Sequence, residues 1–171
     1  MEVGQKFPLT IKRLGINGEG VGFYKRNVVF VKGAIPGEEV TVKLTKVSPK
    51  FAEAEILTIR KASEYRQEAP CSVYAECGGC QLQHMTYEAQ LIHKRDIVVQ
   101  AFEKFAKEIG ETTEIRPTLG MEDPWNYRNK SQFQVRKDGK RVYAGLFSEG
   151  SHQLLNINDC LVQQPLTTKI T

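Results

Sequence analysis

The chain has 171 residues, of which 40% are hydrophobic and 26% are charged, and its net charge is +4. This composition is typical of a globular protein with one sizeable core or two to three small ones, and it excludes disordered and fibrous classes. No apolar run approaches the roughly 20 residues that cross a bilayer, so no membrane association is expected. The opening residues, MEVGQKFPLT, lack a signal-peptide pattern. A cytoplasmic protein with reduced cysteines is therefore predicted.

Positive charge is concentrated in two parts of the chain. Residues 1–60 contain ten Lys/Arg and six Asp/Glu, and residues 128–141 contain six Lys/Arg and one Asp. Local basicity favours contact with nucleic-acid phosphates. For so mild a net charge, an ordinary solvated surface is an equally good interpretation.

Residues 1–60 are predicted to be all β. Short β-rich runs, KFPLTIKRL, NVVFV, EVTVKLTKV and FAEAEILTIRK, are separated by the glycine-rich segments GINGEGVGF and KGAIPGEE, which predict turns. Four or five strands in sixty residues predict a small closed barrel of the oligonucleotide-binding kind. The glycines do not indicate a phosphate loop, because no G-x-G-x-x-G register fits and a strand follows them.

Residues 61–171 are predicted to contain a cysteine loop (71–84), one helix (87–109) and an antiparallel β region (124–160). Thr86 is placed to cap the helix and Gly110 to end it. An apolar stripe along the helix is expected to pack in a core; it comprises Leu91, Val98, Phe102 and Phe105.

In the β region, SQFQVR and RVYAGLF flank the turn signal Asp138-Gly139, and HQLLNINDC supplies a third strand ending at Cys160. The predicted fold class is therefore α+β, mainly β with one helix.

Three of the four cysteines lie in CSVYAECGGCQLQH (71–84), and the full spacing is C-x5-C-x2-C-x79-C. This spacing matches neither the paired motifs of zinc sites nor ferredoxin runs, although three close thiolates and one distant one are similar to the plant-type pattern. A 4Fe–4S cluster is favoured, because Gly78 and Gly79 would let the backbone approach sulfur. Zinc, inert buried thiols and a C-x-x-C redox pair remain alternatives. His84 is a further possible ligand, but a histidine beside a helix start more often caps or packs.

The stretch GEGVGFYKRNVVFVKGAIPGEEVTVKL, the C-x5-CGGCQLQH motif and PWNYRNK together closely resemble bacterial 23S ribosomal-RNA uracil-C5-methyltransferases that carry an iron–sulfur cluster. The resemblance implies an RNA-binding TRAM barrel at 1–60 and an incomplete cluster-bearing central domain at 61–171. It also implies an S-adenosylmethionine-dependent methyltransferase domain that this chain lacks. The cluster ligands implied are Cys71, Cys77, Cys80 and Cys160.

If all four cysteines hold iron, none remains as the nucleophile that uracil methylation needs, so no catalytic or S-adenosylmethionine-binding residue is expected in these 171 residues. The cluster is expected to be structural and to clamp the cysteine loop to the second β region.

Three groups of aromatic and cationic side chains are predicted to bind RNA, because RNA loops are held by base stacking and phosphate contacts. For each aromatic residue, core packing is the alternative. The first group is Phe23, Tyr24, Lys25 and Arg26; the second is Lys46, Lys50 and Phe51; the third is Trp125, Tyr127, Arg128, Asn129 and Lys130, with Arg136, Lys137, Lys140 and Arg141.

The sequence thus predicts the RNA-recognition and cluster-bearing part of a 23S rRNA uracil-C5-methyltransferase, monomeric and inactive by itself. The first alternative is a standalone RNA-binding module with the same barrel. An electron-transfer protein is disfavoured, because a ferredoxin is usually compact and acidic and has no need of a basic barrel.

Overall fold

The structure is a computed structural model that describes residues 1–157 and 159–170, without the side chain of Asp138. It contains two compact units. The barrel unit comprises Met1–Gln67 and His84–Leu119, and the cysteine unit comprises Glu68–Gln83 and Gly120–Thr171. The functional division at residue 60 stays a prediction. No helix in the described ranges is long and apolar enough to span a membrane.

Five strands of the barrel unit close into a barrel in the order β1-β2-β3-β5-β4. The strands are β1 (Lys6–Leu14), β2 (Gly20–Tyr24), β3 (Asn27–Val31), β4 (Glu39–Val47) and β5 (Phe51–Lys61). β3 and β5 run parallel, and the other pairs are antiparallel. The predicted mainly-β fold with an N-terminal barrel is confirmed.

Apolar side chains at alternating positions of the strands fill the interior of the barrel. Phe7, Leu9 and Ile11 of β1 point inward while their neighbours are exposed. Each buried side chain of this size contributes about 1.5–3 kcal/mol relative to exposure. The barrel core is made by Phe7, Leu9, Ile11, Val29, Val31, Ala34, Val40, Val42, Leu44, Ala52 and Ala54.

The glycine-rich segment 15–23 was predicted to be a turn. Residues 16–18 form that turn, but residues 20–23 belong to strand β2, so the prediction was wrong for the second half of the segment. Gly22 is the reason that a strand fits here. A Cβ at this position would lie 2.8 Å from both the carbonyl oxygen of Thr10 and Cγ of Leu9. Glycine at this position therefore allows β1 and β2 to approach closely. The β1–β2 pairing also contains a bulge between Ile11 and Arg13.

Helix α1 (Tyr87–Phe105) starts where the sequence predicts, with Thr86 Oγ1 accepting a hydrogen bond from the Ala89 N–H at 3.4 Å. It ends at Phe105 rather than at residue 109, because Ala106 leaves the helical region with φ −150°. A short α2 (Lys107–Thr112) follows and contains Gly110, which packs closely on Phe102 instead of ending α1.

The apolar stripe predicted along α1 does not form a buried face. Val98 is 44% exposed and Phe105 is 78% exposed, and Ala89 is the residue of α1 that is buried. The stripe prediction was therefore wrong for Val98 and Phe105. Within the barrel unit, α1 is tied to β1 by a polar contact instead, from Arg13 Nη1 to Gln100 Oε1 at 2.9 Å.

The cysteine unit contains a three-stranded antiparallel sheet in the order β6-β7-β8. The strands are β6 (Gln134–Asp138), β7 (Arg141–Phe147) and β8 (Leu154–Asn156), and α3 (Pro165–Ile170) follows. The hairpin turn is one residue later than predicted, because Asp138 pairs with Arg141 and Gly139 takes positive φ. β8 also ends before Cys160. The single predicted helix is corrected to three helices within the described ranges, while Asn158 of the third predicted strand lies outside them.

A buried ion pair joins the β3–β4 turn to the segment leading into α1. Glu38 is fully buried, and its Oε2 accepts a hydrogen bond from Arg66 Nη2 at 2.8 Å. Arg66 also donates to the Gly33 carbonyl at 2.7 Å and forms a β-bridge with Met85. The pair therefore fixes the chain that leaves β5 against the barrel.

Glu38 of this pair and the nearby His84 are each held in one protonation state. Burial alone would raise the pKa of Glu38, but hydrogen bonds from Arg66 and from the backbone N–H of Ile35, with the Arg66 charge, lower it below its usual value. His84 is only 7% exposed. Burial, and then the positive charge of Arg66, lower the pKa of His84 to about 4.

We expect the barrel unit to lose stability as the pH falls from about 6.5 to about 4, because the unfolded chain binds a proton at His84 that the folded chain excludes. The full difference is on the order of 3 kcal/mol. Glu38 adds a further loss below about pH 4.5, since its folded-state pKa is the lower one. Urea unfolding across this pH series should give a flatter profile for His84→Gln.

The exposed His152 offers a matched control. His152→Gln should leave the unfolding of the barrel unit unchanged, because His152 belongs to the cysteine unit. Equal slopes for the wild-type chain and His84→Gln would show that His84 does not titrate as its burial implies.

Candidate metal centre

All four cysteines line one small cavity inside the cysteine unit, although 79 residues separate Cys80 from Cys160. The four thiols are half-buried and none is in a disulfide. The free space is about 20 Å³, roughly that of one water molecule. The remaining lining includes Gly79, Gln83, Arg128, Leu146 and Val162.

Backbone pairing brings the distant cysteines to this cavity. Cys77 forms a β-bridge with Ser148, and the Glu149 N–H donates to the Glu76 carbonyl at 3.0 Å, which fixes the loop to the end of β7. β8 pairs with β7 and leads to Cys160. The two halves of the motif therefore meet through the same sheet.

The sequence predicted that Gly78 and Gly79 would let the backbone approach sulfur. Gly79 makes such an approach. Its N–H donates to Cys77 Sγ at 3.4 Å. A Cβ at this position would lie 3.3 Å from that sulfur and 3.5 Å from Leu146 Cδ1, so a larger residue would crowd the thiol. Backbone N–H groups directed at sulfur are a feature of iron–sulfur sites.

The thiols influence one another electrostatically. Burial raises the pKa of Cys80 above its usual value; a hydrogen bond with Gln83 and the Arg128 charge oppose the rise, while Cys160 and Cys77 add to it. Four neighbouring thiolates would therefore repel one another without a cation between them. A bound metal ion supplies that positive charge and deprotonates its thiol ligands.

The side chains do not meet at the spacing of a single ion. Within residues 1–157 and 159–170, no three His, Cys, Asp or Glu side chains are placed to hold one metal ion. A tetrahedral zinc site needs sulfur about 2.3 Å from a shared centre. The thiols would have to be drawn together to reach this distance around zinc.

His84, the alternative ligand, belongs to the barrel unit and is not among the residues that line the cavity. Gln83 is a supporting residue that the sequence did not single out for this site: it is 7% exposed, and its Oε1 accepts a hydrogen bond from the Cys71 N–H at 3.2 Å. Its place three residues before the helix cap gave no signal of this role.

The first predicted RNA-binding group lies on the β2–β3 hairpin of the barrel unit. Phe23 is 52% exposed, and Lys25 and Arg26 form the turn with positive φ. Tyr24 is half-buried and stacks on Phe7 with the ring centres 3.8 Å apart, so its ring is partly committed to the barrel. Exposed aromatic and cationic groups therefore stand together at this turn.

The second group is largely engaged within the barrel. Lys46 pairs with Glu53 at 2.8 Å, and Phe51 packs edge-on against Phe30. Lys50 is exposed.

The third group is divided within the cysteine unit. Its exposed members are Tyr127, Asn129, Lys130, Arg136, Lys137, Lys140 and Arg141. Trp125 is half-buried. Arg128 is also half-buried and lines the cysteine cavity, with Nη2 donating to the Gly79 carbonyl at 3.4 Å. The sequence placed Arg128 among the RNA contacts and did not connect it with the thiols.

Comparison with known proteins identifies a domain family for the barrel and relatives for the whole chain. Residues 1–57 match the TRAM domain family. Over all 171 residues, the chain is 60% identical to an uncharacterized RNA methyltransferase of Bacillus anthracis, and it is 60% identical to another of Listeria innocua. The chain spans 37% and 38% of the lengths of these relatives. The resemblance to RNA methyltransferases with an N-terminal TRAM domain is confirmed.

A solved structure shows the same fold. The tRNA (uracil-54, C5)-methyltransferase of Pyrococcus abyssi, in complex with S-adenosyl-L-homocysteine, matches 95% of this chain with a TM-score of 0.62 and 24% identity. The match covers 34% of that enzyme.

Proposed function

We propose that this chain is the RNA-recognition and metal-bearing part of an S-adenosylmethionine-dependent methyltransferase that forms 5-methyluridine in 23S rRNA. The observation that carries the proposal is the 60% identity, along the whole chain, to proteins named RNA methyltransferase. The motif resemblance favours uracil C5 and 23S rRNA. In this proposal the protein works as a cytoplasmic monomer, and the 171 residues alone do not methylate.

The proposed metal centre is a 4Fe–4S cluster held by Cys71, Cys77, Cys80 and Cys160. The convergence of four thiols on one cavity and the N–H donor at Cys77 sulfur support it. When bound, such a cluster would supply a covalent cross-link between the loop and the segment after β8.

The composition of the core is a second support for a structural metal. Within the described ranges, Val162 is the hydrophobic residue of the cysteine unit that is buried, at 5% exposure, whereas the barrel core contains eleven buried hydrophobic residues. Small units with little apolar core commonly depend on disulfides or metals. The metal would therefore stabilise this unit.

Deleting the gene that encodes this chain should remove one or more 5-methyluridines from 23S rRNA, because the proposed substrate is a uracil of that RNA. Mass spectrometry of nucleosides from purified 23S rRNA and tRNA measures the change. Loss from tRNA alone would contradict the proposed rRNA substrate, and unchanged 5-methyluridine in both RNAs would contradict uracil methylation.

RNA binding by the barrel can be tested at the β2–β3 turn. Changing both Lys25 and Arg26 to Gln should weaken binding of transcribed 23S rRNA and reduce the slope of log affinity against log salt by about 0.7 for each lost phosphate contact. Fluorescence anisotropy across a salt series measures both quantities.

The matched control is Lys43→Gln, since Lys43 is paired with Glu55 at 3.1 Å on the same barrel. This variant should keep the wild-type slope. Equal slopes for the turn variant and the control would remove the β2–β3 turn from the RNA-binding surface.

A further inference from the structure

We propose that Arg128 is a positioning residue of the metal centre, whose guanidinium offsets the negative charge of the four thiolates. This inference rests on the proposed metal centre. It gives Arg128 a role different from the phosphate contact that its neighbours in PWNYRNK suggest. The support comes from its backbone anchors, its side-chain contacts and its charge environment.

The backbone of Arg128 is fixed to the segment that follows Cys160. Its N–H donates to the Val162 carbonyl at 2.8 Å, and its carbonyl accepts from the Gln164 N–H at 2.8 Å. The intervening Gln163 is 1% exposed and donates its N–H to the Cys160 carbonyl at 3.0 Å. The distance from Arg128 to the fourth cysteine is therefore set by backbone hydrogen bonds.

The side chain of Arg128 extends to the cysteine loop. Its Nη2 donates to the Gly79 carbonyl at 3.4 Å. The point where a Gly79 Cβ would stand lies 3.9 Å from Arg128 Nη1 and 3.3 Å from Cys77 Sγ. Guanidinium and sulfur thus flank the same glycine, and the missing side chain of Gly79 keeps the space between them open.

Arg128 lines the cysteine cavity together with the four thiols and Asp159. In the described part of the chain, no Asp or Glu lies within ion-pair distance of Arg128. A half-buried cation is costly without an opposite charge nearby. Thiolates around a metal centre would supply the missing negative charge.

An arginine suits this position better than a lysine. The guanidinium stays charged, is more weakly hydrated than an ammonium, and presents several N–H donors in a fixed plane. One donor can keep the Gly79 carbonyl while others face sulfur. Hydrogen bonds and charge near the sulfurs are known determinants of cluster reduction potential.

The test compares three variants of the chain, purified anaerobically. Arg128→Met removes the charge at similar length, Arg128→Lys keeps the charge without the planar fork, and Lys130→Met removes an exposed charge two residues away. Iron and sulfide per chain, the rate of cluster loss in air and the midpoint potential are measured for each.

We expect Arg128→Met to lose its cluster about tenfold faster than the wild-type chain, the low end of the range for groups that support metal ligands. Its midpoint potential should become more negative, because reduction adds negative charge that no cation offsets. Arg128→Lys should restore most of the potential but only part of the stability. Lys130→Met should match the wild-type chain.

Wild-type potential and loss rate in a folded Arg128→Met variant would overturn the role of Arg128. If Arg128→Met does not fold, Arg128→Lys decides: faster cluster loss at an almost unchanged potential supports the role, and a wild-type rate overturns it. A wild-type chain without iron and sulfide would contradict the metal centre itself, which separates that failure from a failure of Arg128.

Discussion

The cysteine unit depends on bringing Cys160 to the same cavity as Cys71, Cys77 and Cys80. The β-bridge between Cys77 and Ser148 and the pairing of β7 with β8 achieve this through backbone hydrogen bonds. Gly145 of β7 belongs to the same constraint, because a Cβ there would overlap the Leu155 carbonyl oxygen on β8. With so little buried apolar surface, this unit is held by hydrogen bonds and, in our proposal, by metal–thiolate bonds.

The barrel unit is stabilised in a different way. Its alternating strands enclose an apolar core, and the buried Glu38–Arg66 pair fixes the following segment. Such a pair contributes specific geometry more than net stability, because burial of both charges offsets their attraction. A barrel with its own core can present exposed groups such as Phe23 and Arg26 for RNA contacts, whether or not a metal is bound elsewhere in the chain.

Much of the barrel could be predicted from the sequence, because alternation of apolar residues is a local signal. The ends of β1, β3, β4 and β5 coincide with the predicted runs. β2 was missed because its glycines serve close packing against β1, a tertiary requirement that looks like a turn in sequence. The end of α1 was misplaced for a similar reason, since Gly110 packs on Phe102 within α2.

The same limit applies to the candidate site. The four cysteines were expected to act together, with the full ligand set implied by the family resemblance. The approach of Gly79 to sulfur was expected from its place between Cys77 and Cys80. Gln83 and Arg128 were not connected with the thiols, because their approach depends on the turn after Cys160 and on pairing between residues far apart in the chain.

The most direct test of this account is the number of iron and sulfide ions per chain after anaerobic purification, compared between the wild-type chain and Cys160→Ser. We expect about four of each in the wild-type chain, and loss of both in the variant although its other three cysteines remain. Stoichiometric zinc without iron, or an unchanged iron content in Cys160→Ser, would contradict it.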